Sequence, residues 1–445
     1  MEKKNWRIGS FLLLLVIMFL YKSIHCLRAP LRAKNRATHV FILRCSSSNR
    51  NEGKEVKGEY DYHIPVMRDE CCSHLLSGPA QEKGVFVDCT VGGGGHTKAI
   101  LERGGKVIGF DQDPEALAET SRKLATYIES GQLELVRTNF RNIARAVGES
   151  RLAKDNGGIC NGVLMDLGIS SHQINEPGRG FAFSANGPLD MRMGGGCKFN
   201  DDNIADIEGQ GRILSSSTSP PSLTAAMICN EYDQDDIANI LYEYGEERRS
   251  RKLAREIVAS RPISTTRELV DILSRVTPFK DRTKILARCF QALRIAVNDE
   301  LGALDKALED VHKVILPGGR LVVLSYHSLE DRRVKRLIKT GKPNLACDNT
   351  STHSVGSPWH SIFKKARAPT PQEIEQNSRA RSAKLRVAER ISFGKEELAQ
   401  EYVFFGSTSF EKKNKYKTGI VGAKERKRAA ARNAAEEINE NEIEK

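Results

Sequence analysis

The chain has 445 residues, 39% hydrophobic and 28% charged, which suits one large or two moderate soluble domains and excludes a protein that is mostly membrane-embedded. Its formal net charge of +12 points to acidic partners, of which nucleic acid is the commonest. Ten cysteines without one C-x-x-C argue against a zinc site or a disulfide framework, and therefore for a reducing compartment and no metal.

Between residues 3 and 51 there is no Asp or Glu, while Lys22, Arg28, Arg32, Lys34, Arg36, Arg44 and Arg50 recur around a Cys45-Ser46-Ser47-Ser48 run. Residues 11–21 form an apolar run of 11, short of the roughly 20 needed to span a bilayer, so no stable membrane association is expected. Residues 1–58 read as a targeting segment with a plastid (chloroplast) address; a mitochondrial address, or an upstream extension joined to the gene, are the alternatives.

The folded part is expected to open near Tyr62-His63-Ile64-Pro65-Val66, followed by a helix over 67–76. Residues 85–114 then read VFVDCTVGGGGHTKAILERGGKVIGFDQDP. A β-rich run, four glycines, an amphipathic segment and a second β-rich run ending in Asp111 make a βαβ half-unit. The glycines let a ligand lie against backbone, and Asp111 is placed to accept both hydroxyls of a ribose. The dinucleotide fingerprint G-x-G-x-x-G fails in either frame, ending at Thr97 or Lys98. That favours an adenosine without a pyrophosphate, as in S-adenosylmethionine, over a nicotinamide dinucleotide; a glycine-rich turn in another α/β fold is the alternative.

Strand candidates at 133–136 and 162–165 end in Arg137-Thr138-Asn139-Phe140 and in Asp166-Leu167-Gly168-Ile169-Ser170-Ser171. Ligands of open α/β sheets bind outside the carboxyl ends of the strands, so Gly94, Asp111, Phe140 and Asp166 should converge on one crevice. Phe140 would stack on adenine, and Asp166 would face the methionine end or the acceptor, unless it caps a helix.

Alternation then stops. The loops Gly178-Arg179-Gly180-Phe181-Ala182-Phe183 and 187–193 interleave arginine and apolar residues in a way that suits an unstacked base. Residues 194–224, rich in Gly, Asp and Ser, read as a disordered insertion. Helices are expected over 235–244, 246–259 and 266–276, the last opened by a capping box, Thr265-x-x-Glu268. Arg248, Arg249, Arg251, Lys252 and Arg255 crowd the second of these, as a solvated face or as a surface that tracks phosphates.

Turning about 100° per residue brings Arg288, Gln291, Arg294 and Asn298 within roughly 120° of one another, beside an apolar sector of Phe290, Leu293, Val297 and Leu301. This polar face reads as substrate-binding, or else as plain surface. Residues 316–320 form a turn and 321–324 a buried strand, with Ser328-x-x-Asp331 capping the next helix. His327 thus lands on the same sheet edge, as a substrate contact or a structural histidine. Residues 384–389 alternate like a closing strand, and nine Lys or Arg against two Glu over 411–432 make a basic tail.

The ordered motifs DCTVGGGGHT, VLMDLGISSHQI, GRGFAF, GPLDMRM, YGEER, FQALRIAVNDEL, LSYHSLEDR and ARSAKLRVAER closely resemble the ribosomal RNA small subunit methyltransferase H family, over residues 62–390. The resemblance implies an α/β, Rossmann-like S-adenosylmethionine-dependent methyltransferase domain, at 59–171 and 284–394, interrupted by a helical domain at 172–283. Outside it lie the targeting segment and a basic, unstructured extension at 395–445. It also implies methyl transfer to N4 of a cytidine in small-subunit ribosomal RNA, with that RNA or the small ribosomal subunit as partner. Carried over by motif, the cofactor contacts fall on Gly94, Gly95, His96, Asp111, Phe140, Asp166 and Gln173. Asp166 is the best candidate for accepting the proton. Ser378 stands where the family commonly has proline, and 194–224 and 341–362 look longer than usual. A bacterial-type enzyme behind a targeting segment points to an organellar ribosome. The rival readings are a ribosome-assembly factor without turnover, and a methyltransferase acting on another RNA base or on protein.

Overall fold

The computed structural model describes residues 65–77, 84–194, 211–213, 223–344 and 357–392. The expected targeting segment, the basic tail and most of 194–224 lie outside them. Eight strands form one sheet: β1 (Val85–Asp88), β2 (Lys106–Asp111), β3 (Leu133–Arg137), β4 (Cys160–Asp166), β5 (Gly211–Ile213), β6 (Ile315–Ser325), β7 (Trp359–Ser361) and β8 (Lys384–Arg390). Their order is β5-β3-β2-β1-β4-β6-β8-β7; the first six are parallel, and β8 runs antiparallel to both β6 and β7.

The strands read as near-continuous apolar runs because both faces of the sheet are covered. Val85, Val87, Ile108, Phe110, Val163 and Met165 pack with the helices Ile143–Glu149 and Glu300–Val314. The intervening Phe86, Val107 and Leu164 point the other way, towards Arg68–Leu75 and Gly95–Glu102. A mostly parallel sheet of this order with helices on both faces is Rossmann-like.

A separate core is wholly helical. Ala225–Glu231, Gln234–Glu243, Ser250–Ala259, Thr266–Val276 and Arg282–Asn298 pack around Ile228, Leu241, Leu253, Leu273 and Leu286, together with Leu189 and Met191 from the preceding loop. The Thr265–Glu268 capping box is formed. Ile285, Cys289, Phe290 and Leu293 also enter this core, so by packing the helical part runs to Asn298 rather than ending at 283. Asp299, at φ 46°, separates that helix from Glu300–Val314, which returns to the sheet.

Other details depart from the expected pattern. Residues 246–249 turn instead of continuing a helix, with Glu246 at φ 50°, because the buried Glu247 carboxylate accepts the Arg249 N–H at 3.0 Å and Gly245 lies hard against the Arg288 carbonyl. Residues 316–319 loop out within β6, between Ile315, which pairs with Cys160, and Arg320, which pairs with Gly162. Inside the insertion expected to lack structure, the backbone of Gly211–Ile213 pairs with Leu135–Arg137, because the open edge of β3 offers ladder groups to any extended segment. Among the described residues no helix is long and apolar enough to cross a membrane.

Candidate active site

Strand order reverses between β1 and β4, since β2 and β3 build outward on one side and β6 on the other. Such a switch point opens a crevice at the carboxyl ends of the strands, and here it holds a cavity of about 410 Å³. Asp88, fully buried, fixes the turn after β1: one carboxylate oxygen accepts the Thr90 N–H at 3.1 Å and the other the Thr97 hydroxyl at 2.7 Å. Asp111 at the end of β2 clamps the same turn from the side, accepting the N–H of Gly92 and of Asp113, each at 2.8 Å. Burial pushes the Asp111 carboxyl up to about 6, against the pull of these two backbone hydrogen bonds.

Gly92, Gly93, Gly95, His96, Asp111 and Phe140 border the cavity. Gly94 does not. It sits behind the turn at φ 79°, where a Cβ would approach Thr120 to 3.0 Å, so its part is to let the chain turn. Phe140 opens a short 3₁₀ turn after β3 and leans on the sheet core, while Asn139 beside it donates to Gln112 at 2.9 Å.

At the end of β4 the Asp166 N–H donates to Thr90 Oγ1 at 2.8 Å, and its Oδ1 accepts the phenol of Tyr326 at 2.7 Å. Its Oδ2 lies 3.8 Å from His96 Nδ1. Burial, then the charges of Asp88 and Glu330, push the Asp166 carboxyl up to about 7; the Tyr326 hydrogen bond opposes them. Tyr326 follows β6 directly, and the sequence pattern singles out His327 beside it rather than Tyr326. Its partner lies 160 positions away in the chain, and the only available signal was its place at the same strand end.

His327 borders the cavity but also takes the N-cap position expected of Ser328. Buried Glu330, not Asp331, folds back on it, accepting the Tyr326 N–H at 2.8 Å and the His327 N–H at 3.2 Å, with its other oxygen 3.1 Å from His327 Nε2. His-x-x-Glu and Ser-x-x-Asp are the same motif one residue apart, and burial of Glu330 decides between them.

The remaining wall ties the sheet to the helical part. Gln173 borders the cavity, yet both ends of its amide are held: Oε1 accepts the Ser170 N–H at 3.1 Å and Nε2 donates to Asp113 at 2.8 Å. Arg179, only 5% exposed, pairs with Asp113 and Glu115 and donates to the carbonyls of Arg192 and Met193. Phe181 is buried in the helical core. The loop expected to grip a base is therefore a structural strap, because its guanidinium and ring are already committed to the protein.

The four polar residues of the Arg282–Asn298 helix part company. Gln291 and Arg294 reach the cavity; Gln291 donates to the Tyr244 carbonyl at 3.1 Å, and Arg294 holds Glu300 through two bonds of 2.7 and 2.9 Å. Asn298 turns beneath the loop, accepting the Met193 N–H and donating to the Met191 carbonyl, each at 2.8 Å. Arg288 faces a different groove and pairs with Glu247 at 3.4 Å.

The cleft thus offers a backbone cradle with a carboxylate at its side, an aromatic wall, and a second carboxylate at the far end with a pKa near neutrality. That donor set fits a nucleoside with a short charged tail, as S-adenosylmethionine is: Asp111 would hold ribose hydroxyls, Phe140 a purine face, and the turn at Gly92, Gly93 and Gly95 the tail. No pyrophosphate cradle is present in the turn, since Thr97 is hydrogen-bonded into Asp88 where a third glycine would stand.

The sequence pattern of the MraW methylase family matches residues 61–206 and 216–391. The chain is similar to the ribosomal RNA small subunit methyltransferase H of Heliobacterium modesticaldum, with 42% identity over 349 residues, 74% of this chain and 99% of that protein. It is also similar to the protein so named from Parabacteroides distasonis, with 40% identity over 339 residues, 74% of this chain and 98% of that one. Among solved structures, an rRNA methylase from Streptococcus thermophilus aligns at 13% identity and a TM-score of 0.30, covering 73% of this chain and 95% of that chain. With both stretches of the family pattern in place around an intact strand-end cleft, this chain belongs to the MraW methylase family.

Proposed function

We propose that this chain transfers the methyl group of S-adenosylmethionine to the exocyclic N4 of a cytidine in small-subunit ribosomal RNA, and that its client is an organellar ribosome. The observation that carries the reading is the Asp166 carboxylate at the end of β4, which accepts the Tyr326 hydroxyl at 2.7 Å inside the cleft and which burial pushes up to about 7. Bound S-adenosylmethionine supplies a methyl already activated by its sulfonium. What remains for the protein is to hold the amine in line and to relieve it of a proton.

The N4 lone pair is delocalised into the pyrimidine ring, so an acceptor on one N4 hydrogen strengthens it as a nucleophile. Tyr326 occupies Asp166 Oδ1, and Oδ2, which lies 3.8 Å from His96 Nδ1 and so beyond hydrogen-bond distance, is the oxygen we assign to that hydrogen. Forming the N–CH3 bond would break the S–CH3 bond and release the neutral thioether, S-adenosylhomocysteine, and Asp166 would take the one N–H proton that must leave nitrogen and pass it to solvent. A carboxyl titrating at about 7 serves both halves, being charged often enough to accept and basic enough to take the proton. The target cytidine has to leave its stack to enter the cleft.

The RNA substrate is supported by the names of the similar bacterial proteins and by the positive balance of the chain. The organellar client is supported by the composition of residues 1–58, with a plastid as the first choice and a mitochondrion as the second. Purified protein should convert cytidine to N4-methylcytidine in small-subunit RNA but not in large-subunit RNA, read by nucleoside mass spectrometry. Methyl transfer to another base or to ribosomal protein alone would replace this reading with one of its rivals.

A further inference from the structure

Beyond the cleft lies a second groove, of about 830 Å³, whose walls continue those of the cleft. Along the Arg282–Asn298 helix, Lys284 and Arg288 line the groove, and Gln291 and Arg294 line the cleft. Opposite, Leu329 and Arg332 line the groove, and Tyr326 and His327, just ahead of them in the chain, line the cleft. At 1.5 Å per residue the two sets on the first helix together span roughly 15 Å, one continuous channel wall.

The third wall is the turn that replaced the expected helix start. Glu246 binds Ser328 and Arg332, and Glu247 binds Arg288, so these two acids are already balanced by groove arginines. Arg248, Arg249 and Lys284 line the groove exposed, and among the described residues no ion pair holds them. Against them stand only Glu243 and Asp281. Exposed Arg251, Lys252 and Arg255 extend the positive surface along the next turns.

Two aromatic rings are presented to solvent, one in the groove and one close to it in the chain. Tyr242 lines the groove at 61% exposure, and Phe279, at 86%, stands two residues before groove-lining Asp281 with the Arg282 guanidinium 5.4 Å from its ring centre. Unpaired cations interleaved with exposed rings are the equipment of a single-stranded nucleic acid track: cations take phosphates and rings take bases. A protein partner would call for an apolar centre, whereas the groove's aliphatic residues, Ile285 and Leu329, are both buried.

We infer that this groove holds the RNA strand flanking the target nucleotide, with Arg248, Arg249 and Lys284 on its phosphates and Tyr242 stacked on a base. The inference rests on the RNA reading above and assigns it a path. The test compares the full chain with the triple variant Arg248→Gln, Arg249→Gln, Lys284→Gln, and with Tyr242→Ala. Each is titrated with a small-subunit rRNA fragment containing the unmethylated target cytidine, at several salt concentrations.

Three lost phosphate contacts should reduce the slope of log affinity against log salt by about 2. Loss of one stacked base should weaken binding by roughly 5- to 150-fold. Melting temperature and S-adenosylmethionine affinity should stay at the parent's values, because all four side chains are exposed; these two readings also certify that the variants are folded. An unchanged salt slope and affinity in the triple variant, with the parent still methylating RNA, would overturn the groove assignment alone. No RNA methylation by the parent would overturn the functional reading beneath it. Weakened binding to the intact small subunit with undiminished binding to the RNA fragment would assign the groove to a ribosomal protein and so contradict the inference.

Discussion

Replacing Asp166 by asparagine separates its chemical role from its cost to the fold. In the folded chain the carboxyl is raised to about 7, from 3.8 for an unperturbed aspartate. A raised folded pKa means that the folded state holds the proton more tightly than the unfolded state. The associated stability is therefore complete below about 3.8 and is lost as pH rises through 7. A shift of about 3 units corresponds to about 4 kcal/mol. The side chain is 22% exposed, and solvent screening at that exposure lowers the working figure to about 2–3 kcal/mol. Asparagine keeps an acceptor for Tyr326 and cannot ionise. At pH 8.5 the variant should melt roughly 4–12 °C above the parent, and at pH 4 the two should nearly coincide. Methyl transfer should fall about 100- to 10,000-fold, the usual worth of a positioned base. Calorimetric melting at both pH values, with initial rates on RNA, reads all of this. Equal destabilisation at the two pH values, or full activity, would refute the assignment.

Asp111→Ala should weaken S-adenosylmethionine binding by about 10- to 100-fold, as expected for losing hydrogen bonds to a charged group, and should also lower the melting temperature, because Gly92 and Asp113 lose their acceptor. Unchanged affinity in a calorimetric titration would remove Asp111 from the cofactor's contacts. Arg294→Ala should lower activity and melting temperature together. It strands Glu300, half-buried with it, at a cost of up to about 3–5 kcal/mol; loss of activity at an unchanged melting temperature would instead favour direct contact with RNA. Deleting residues 1–58 should leave cooperative melting and activity intact while abolishing organelle entry of a tagged protein, and loss of the melting transition would show that the segment belongs to the fold.

How far the sequence could be read follows from the range of each interaction. β1 to β4 were legible because strands covered on both faces carry near-continuous apolar runs, and the Thr265–Glu268 box because its partners are three residues apart. Asp111, Phe140 and Asp166 could be placed together by the strand-end rule, which needs only the order of elements. Tyr326 on Asp166, Arg294 on Glu300 and Arg179 on Asp113 were hidden, since none has a periodic signature and each depends on how separate elements close. A helical wheel grouped Arg288 with Arg294 correctly in angle, but could not tell that one turn of helix separates a groove from a cleft.

The central claim is tested most directly by nucleoside mass spectrometry of organellar small-subunit rRNA, from cells with and without this protein, mapped to a single position. The account predicts that N4-methylcytidine at one site disappears with the protein and returns with the parent chain but not with Asp166→Asn. An unchanged modification in its absence, or full restoration by that variant, would contradict it.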